Sequence, residues 1–271
     1  VNKARAYPLS ILWTHEVVND NFHGPIVATY CPVCGSTIVG ERTINSEVTK
    51  FGVSGYLWKK DLVMYDERTD SLWSQIIATA IRGPLVGEKL TLVPSTLTTW
   101  SSWQQKNPDT DVLLPPPVSN AIGESQTTPY YTTLDETQIF RDNDSDTLDE
   151  RTAVKGVVVN GQPSAYPYPV VEQKQVINDY LNGHPILVGI STGSQIQAFD
   201  RCVSGKVLSF RSQDKGIARA DDSRWELDTG LALDGPHEGN HLNRIEALSP
   251  MFWFAWRDFY PKTDVYKSGS P

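Results

Sequence analysis

Apolar positions along the chain fall in short runs, alternating or continuous, each bounded by Gly, Pro, Asn or Asp. Residues 25–30, 36–41, 48–53, 62–65 and 89–93 are rich in β-branched side chains or alternate with period two. That is the pattern of half-buried or buried strands. Residues 157–159, Val-Val-Val, run into Asn160-Gly161, a dipeptide that favours the tight turn of a β-hairpin. Two segments read as helices. In residues 98–106, Trp100 and Trp103 share a face and Pro108 closes the segment. Residues 10–20 form the second, although Val17 and Val18 lower its helical propensity. The expected fold class is α+β or mainly β, with short helices.

The pattern is also repeated. Ala6-Tyr7-Pro8 returns as Ala165-Tyr166-Pro167, 159 positions later. At the same spacing Val18-Asn19-Asp20 meets Ile177-Asn178-Asp179, Gly24 meets Gly183, Arg42 meets Arg201 and Phe51 meets Phe210. Further on the spacing falls to 153, where Trp100, Trp103 and Pro108 match Trp253, Trp256 and Pro261. Ordered matches of this kind are the signature of an internal duplication, so a β-rich module with pseudo-twofold symmetry is expected. Repeat one spans residues 1–114 and repeat two residues 153–271. Residues 115–152, which begin Pro-Pro-Pro and continue rich in Ser, Thr and Asp, read as a linker. Repeat one opens at Val1-Asn2 without a counterpart of the strand before Asn160. Either residues further upstream supply it, or another chain adds a strand there and the protein self-associates.

Composition narrows the function classes. With 271 residues, 39% of them apolar and 10% aromatic, the chain can bury a proper core. A net charge of −8 and the lack of any Lys/Arg run give nucleic acid no electrostatic footing. No apolar run reaches the length of a membrane span, so membrane insertion is not expected. Three cysteines are too few for a disulfide scaffold. Loops rich in Ser, Thr, Asn and Pro fit an exported, extracytoplasmic protein.

The most pointed segment is Tyr30-Cys31-Pro32-Val33-Cys34-Gly35. Two thiolates at this spacing, with Pro and Gly shaping the turn, suit a knuckle that grips one metal ion. A thioredoxin-like redox pair would instead place its first Cys at a helix N-terminus. Here Gly-Ser-Thr-Ile-Val follows, which reads as a strand. An inert pair or a local disulfide remains the third reading of the motif. His15 is the candidate third ligand, and Glu16 is placed to orient a ligand by hydrogen bonding or to carry a proton. The sequence alignment of the repeats pairs Cys31, Cys34, His15 and Glu16 with Ile190, Gly193, Lys174 and Gln175. All four chemical groups vanish together, while Tyr7, Asn19, Asp20, Arg42 and the Trp pair persist as scaffold.

Other residues carry less. Asp142, Asp144 and Asp146 are spaced like the start of a calcium loop, but Thr147 and Ala153 stand where Gly and Glu are needed. Asn143-Asp144-Ser145 fits a glycosylation acceptor. His237 and His241 lie in a Pro- and Gly-bounded loop, and Cys202 is an odd thiol.

Taken together, Ala6-Tyr7-Pro8, His15-Glu16-x-Val18-Asn19-Asp20, Tyr30-Cys31-Pro32-x-Cys34-Gly35, Phe51-x-Val53-Ser54-Gly55, Tyr65-Asp66, Ser71-Leu72-Trp73-Ser74-Gln75 and Val93-Pro94-Ser95 form a specific set. In these motifs, and in Phe252-Trp253-Phe254-Ala255-Trp256, nearly the whole chain resembles a widespread microbial family known as a domain of unknown function. The resemblance implies a microbial, often exported, protein and names no reaction. The leading expectation is a protein that binds one zinc, iron or copper ion through Cys31, Cys34 and His15. Three protein ligands would leave one position open, as in a catalytic zinc site. The rivals are an extracellular assembly subunit, in which the Cys pair is a staple, and a thiol redox protein.

Overall fold

The computed structural model describes residues 3–115, 148–245 and 250–267. The linker reading over 116–147, with Asn143 and the three alternating Asp residues, lies outside them, as does the Val1-Asn2 turn. The fold is mostly β, with four short α-helices among the described residues. No helix there is long and apolar enough to cross a membrane.

Contacts divide the chain into two compact units. The first begins with β1 (Arg5–Ala6) and α1 (Leu9–His15). A three-stranded antiparallel sheet follows: β2 (Val17–Asn21), β3 (Pro25–Cys31) and β4 (Ser36–Glu41). The small hairpin of β5 (Thr43–Ile44) and β6 (Glu47–Val48) leads to a second sheet. That sheet comprises β7 (Phe51–Trp58), β8 (Asp61–Asp66), β9 (Leu72–Ser74) and β10 (Thr79–Arg82). The helix expected over residues 10–20 covers only its first part. Glu16 takes a positive φ of 58° and its N–H closes on Leu12 O at 2.8 Å, ending α1. The chain then turns into β2, where Val17 and Val18 pair with β3, because β-branched side chains pack better on a sheet than in a helix. Residues 89–93 make only isolated bridges rather than a full strand.

Residues 96–108, with α2 (Trp100–Lys106), group with the second unit, so the contacts do not divide the chain at residue 114. Lys106 there pairs with Asp228 and, at 3.6 Å, with Glu226. The described residues from 109 to 115 return to the first unit, where β11 (Asp111–Val112) runs parallel to β1.

In the second unit β12 (Ala153–Val159) and β13 (Gln162–Pro167) form the hairpin expected at Asn160-Gly161, whose φ angles are 50° and 79°. After α3 (Tyr168–Lys174) come β14 (Val176–Leu181), β15 (His184–Ile190) and β16 (Ile196–Asp200), again antiparallel. A small hairpin, β17 (Cys202–Val203) and β18 (Lys206–Val207), precedes the sheet of β19 (Arg211–Asp214), β20 (Ile217–Ala220) and β21 (Ser223–Glu226). β22 (Met251–Phe252), α4 (Trp253–Phe259) and β23 (Asp264–Val265) complete the unit, the two strands flanking the β12–β13 hairpin.

The residues read as scaffold make the same bonds in both units. Asn19 donates to Phe51 O at 2.7 Å and accepts from Phe51 N at 2.8 Å. Asn178 does the same to Phe210, at the same two distances. Each amide thereby closes both backbone groups of a buried Phe at the start of the second sheet. Tyr7 donates to Asp20 at 2.8 Å, and Tyr166 to Asp179 at 2.9 Å. Arg42 and Arg201 each bond a carbonyl at 2.8 Å, on Thr49 and Leu208. Trp73 and Trp225 are fully buried and meet Phe51 and Phe210 edge-on, at 5.5 and 5.8 Å between centroids. His237 spends its ring on Asp221, at 3.0 Å, and Cys202 is exposed.

Replacing Asn19 with Ala would leave the Phe51 N–H and C=O unpaired beside the core. The expected cost is about 1–3 kcal/mol, read as a lower urea midpoint by tryptophan fluorescence. An unchanged midpoint would show that this double bond contributes nothing.

Candidate metal centre

The first unit carries its chemistry where its two sheets meet. Cys31 ends β3 and Cys34 sits in the four-residue turn into β4. Gly35, at φ 71°, closes that turn by donating to Cys31 O at 2.8 Å. This positive φ is where Gly is needed, since a side chain would strain the turn. Cys34 N lies 3.5 Å from Cys31 Sγ and donates to it. The segment after the turn is a strand, not the helix a thioredoxin-like motif needs.

The third member comes from the other sheet. Asp61 opens β8, and its Oδ1 lies 3.6 Å from Cys34 Sγ. Cys31, Cys34 and Asp61 bring one ligand atom each to within 4.8 Å of one another. All three are at 0% exposure. Asp61 Oδ2 accepts from Ser74 Oγ at 3.0 Å and from Ile76 N at 2.9 Å. Ser36 Oγ lies 3.0 Å from Cys34 Sγ and 2.6 Å from Gln75 Oε1. Gln75 Nε2 reaches Thr29 Oγ1 at 3.0 Å and Ser36 O at 3.2 Å. Thr29, Ser36, Ser74 and Gln75 are all buried too.

Burial dominates the electrostatics. It lifts the Asp61 carboxyl from 3.8 to about 7, against the hydrogen bonds from Ile76, Ser74 and Cys34 that pull it down. Burial also raises the Cys34 thiol well above its ordinary range, with Cys31 and then Asp61 adding to the rise. Each group can ionise cheaply only when a positive charge arrives among them.

His15 is not part of this group. It ends α1 and is exposed, because the left-handed Glu16 turns the chain away into β2 just after it. Glu16 is buried and caps α1, and its carbonyl accepts from Tyr30 N at 2.9 Å. Neither residue contributes a ligand atom to the cluster. Asp61, which the sequence reading did not include, is the third member of the group. Nothing in its immediate sequence marks it, since it reads as the polar start of a strand. Gln75 lies inside the Ser71-Leu72-Trp73-Ser74-Gln75 motif, so that motif held a usable signal.

Strand register also corrects the match between the units. Asn19 pairs with Val27 and Asn178 with Leu187, so β3 and β15 are offset by 160 rather than 159. Cys31 therefore corresponds to Ser191, not Ile190. The turn is one residue shorter in the second unit, where Ile190 pairs with Ile196, leaving Cys34 without a one-to-one counterpart. The same register sets Thr29 against Gly189, and Gln75, which follows the shared Trp by two, against Leu227. A Cβ on Gly189 would stand 2.9 Å from a Leu227 methyl. A polar Thr–Gln pair in one unit is thus a Gly–Leu pair in the other. Lys215 stands in the place of Asp61, with its Nζ 3.1 Å from Ser194 Oγ.

These features define a β-rich protein with a buried Cys₂Asp cluster capable of holding a metal ion. The chain belongs to the DUF3179 family, described as a protein of unknown function, whose profile matches residues 1–263. Neither the curated proteins nor the solved structures contain a match.

In the metal-free protein the folded state keeps the Asp61 proton up to about pH 7, whereas the unfolded chain releases it near 3.8. The contribution of Asp61 to stability is therefore full below about pH 4, falls as pH rises towards 7, and levels off above. The whole change is on the order of 4 kcal/mol. Asp61→Asn should flatten that part of the urea-midpoint profile measured in chelator. Parallel profiles for the two proteins would show that Asp61 ionises freely.

Proposed function

We propose that this protein binds one divalent transition-metal ion, zinc or iron(II), through Cys31 Sγ, Cys34 Sγ and a carboxylate oxygen of Asp61. The observation that carries the reading is the convergence of three ligand atoms within 4.8 Å at zero exposure. Buried polar groups need partners, and a buried carboxyl facing two thiols is expensive unless a cation offsets its charge. Charge favours a divalent ion over copper(I), since three anionic ligands around a single positive charge would leave two uncompensated charges inside the core. Zinc and iron(II) both suit mixed sulfur and oxygen ligands.

With its ligands closed off from water, the ion acts on structure rather than on a substrate. It ties the turn between β3 and β4 to the start of β8 and so couples the two sheets of the first unit. A redox role is disfavoured because reactive cysteines are exposed and have lowered pKa values, whereas here burial raises Cys34. We further infer that the two units arose by duplication, which the shared Asn, Tyr, Arg and Trp bonds support, and that among the described residues the first alone retains the metal cluster.

Protein purified without added metal should contain about one equivalent of zinc or iron by elemental mass spectrometry, with chelation lowering its melting temperature. Cys31→Ser, Cys34→Ser and Asp61→Asn should each lose the metal, and His15→Ala should keep it. Metal-free wild-type protein that neither takes up nor is stabilised by added zinc or iron(II) would overturn the reading.

A further inference from the structure

Resting on the metal-binding reading above, we propose that Ser36 Oγ is the fourth ligand of the ion, and that Gln75 is the positioning residue that turns the Ser36 proton away from it. The ion then sits in a closed set of two sulfurs and two oxygens.

A backbone carbonyl can only accept a hydrogen bond. The Ser36 backbone carbonyl lies 3.2 Å from the Gln75 side-chain amide, so the amide atom facing it must be the nitrogen. A second carbonyl oxygen at that distance would repel it. Gln75 Nε2 then places its other hydrogen on Thr29 Oγ1 at 3.0 Å, and Thr29 spends its own proton on Ile38 O at 3.3 Å. With the nitrogen fixed, the remaining atom, Oε1, faces Ser36 Oγ at 2.6 Å and must accept from it. Ser36 has one hydroxyl proton, which is now committed to Gln75.

What Ser36 Oγ presents to Cys34 Sγ, 3.0 Å away, is therefore lone-pair density. Asp61 behaves alike. Its Oδ2 is occupied by the donors Ser74 Oγ and Ile76 N, and its Oδ1 points at Cys34. Ser36 Oγ thus adds an oxygen 3.0 Å from Cys34 Sγ, beside the three ligand atoms that lie within 4.8 Å of one another, and all four residues are at 0–1% exposure. Four such ligands satisfy the tetrahedral preference of a structural zinc site. The second unit supports the link between Gln75 and the ion. Where it has Ser191 in place of Cys31, it also has Leu227 in place of Gln75 and Gly189 in place of Thr29.

Cobalt(II) substitution tests this, because sulfur-to-cobalt charge transfer reports the number of thiolate ligands. The metal is stripped with chelator and cobalt(II) added to the full chain, to wild type and to variants whose folding is checked by circular dichroism. Wild type should bind one equivalent with the intensity of two thiolates. Ser36→Cys should add a third and raise the intensity per ion by about half, as expected for an atom in the tetrahedral shell. Ser36→Ala should weaken binding about 10–100-fold in chelator competition, and Ser36→Thr, which keeps the hydroxyl, should restore most of it. Gln75→Leu should weaken binding about 10-fold or more while the two-thiolate intensity stays, separating positioning from ligation. If wild type shows two thiolates but Ser36→Cys does not raise the intensity, Ser36 is not a ligand and the metal reading survives without it. Should Ser36→Cys not fold, the Ser36→Ala competition decides, and wild-type affinity there overturns the proposal. If wild type binds no cobalt, zinc or iron(II), the metal reading falls and this proposal with it.

Discussion

A carboxyl with no exposure is the constraint around which the first unit is organised. Asp61 stands at the start of a strand inside the core, and burial lifts its pKa to about 7 even against the hydrogen bonds that lower it. Such a group persists only if its surroundings supply donors or positive charge. Two donors, Ser74 and Ile76, come from the same sheet and hold one oxygen. The other oxygen is turned towards the cysteine turn of the neighbouring sheet. The arrangement of Thr29, Ser36 and Gln75 follows, because each polar atom brought inside must in turn find a partner.

The second unit shows what happens to the same scaffold without that constraint. Its Asn178, Tyr166, Arg201 and Trp225 repeat the contacts of Asn19, Tyr7, Arg42 and Trp73. The centre is filled differently. Leu227 lies against Gly189 where Gln75 bonded Thr29, and the turn that held Cys34 is shorter by one residue. Similar frameworks thus enclose different interiors, polar around Gln75 in the first unit and apolar around Leu227 in the second. Changing Gln75 alone would leave Thr29 and Ser36 without their buried partner.

The metal reading and the closed character of the site belong together. Catalytic centres keep a coordination position open to substrate, and their titrating groups face a cleft. Here the ligand atoms come from a turn and a strand start that are both sealed. Binding free energy at such a site is folding free energy, since the ligands are brought together only when the two sheets meet. Cys31 and Cys34 are close in sequence, so half of the site survives as a local motif. Asp61 and Gln75 join it through the meeting of the two sheets.

Much of the architecture was legible in the residues themselves. Short alternating runs marked β3, β4 and β8, Asn160-Gly161 marked its hairpin, and the Trp pair marked α2, because these depend on local conformation and period. His15 lies outside the Cys31, Cys34 and Asp61 group: it ends α1 one residue before Glu16, whose positive φ closes the helix. Only the tertiary structure could bring in Asp61, 27 positions from Cys34, and Gln75, 39 from Ser36 and 46 from Thr29. Only strand register revealed that Cys31 answers to Ser191, because the shift by one residue arises in a hairpin loop and is cancelled at the next turn. Local sequence encodes the conformation of each strand. Which polar atoms share a buried volume depends on how separate sheets pack, and no single stretch of the chain carries that information.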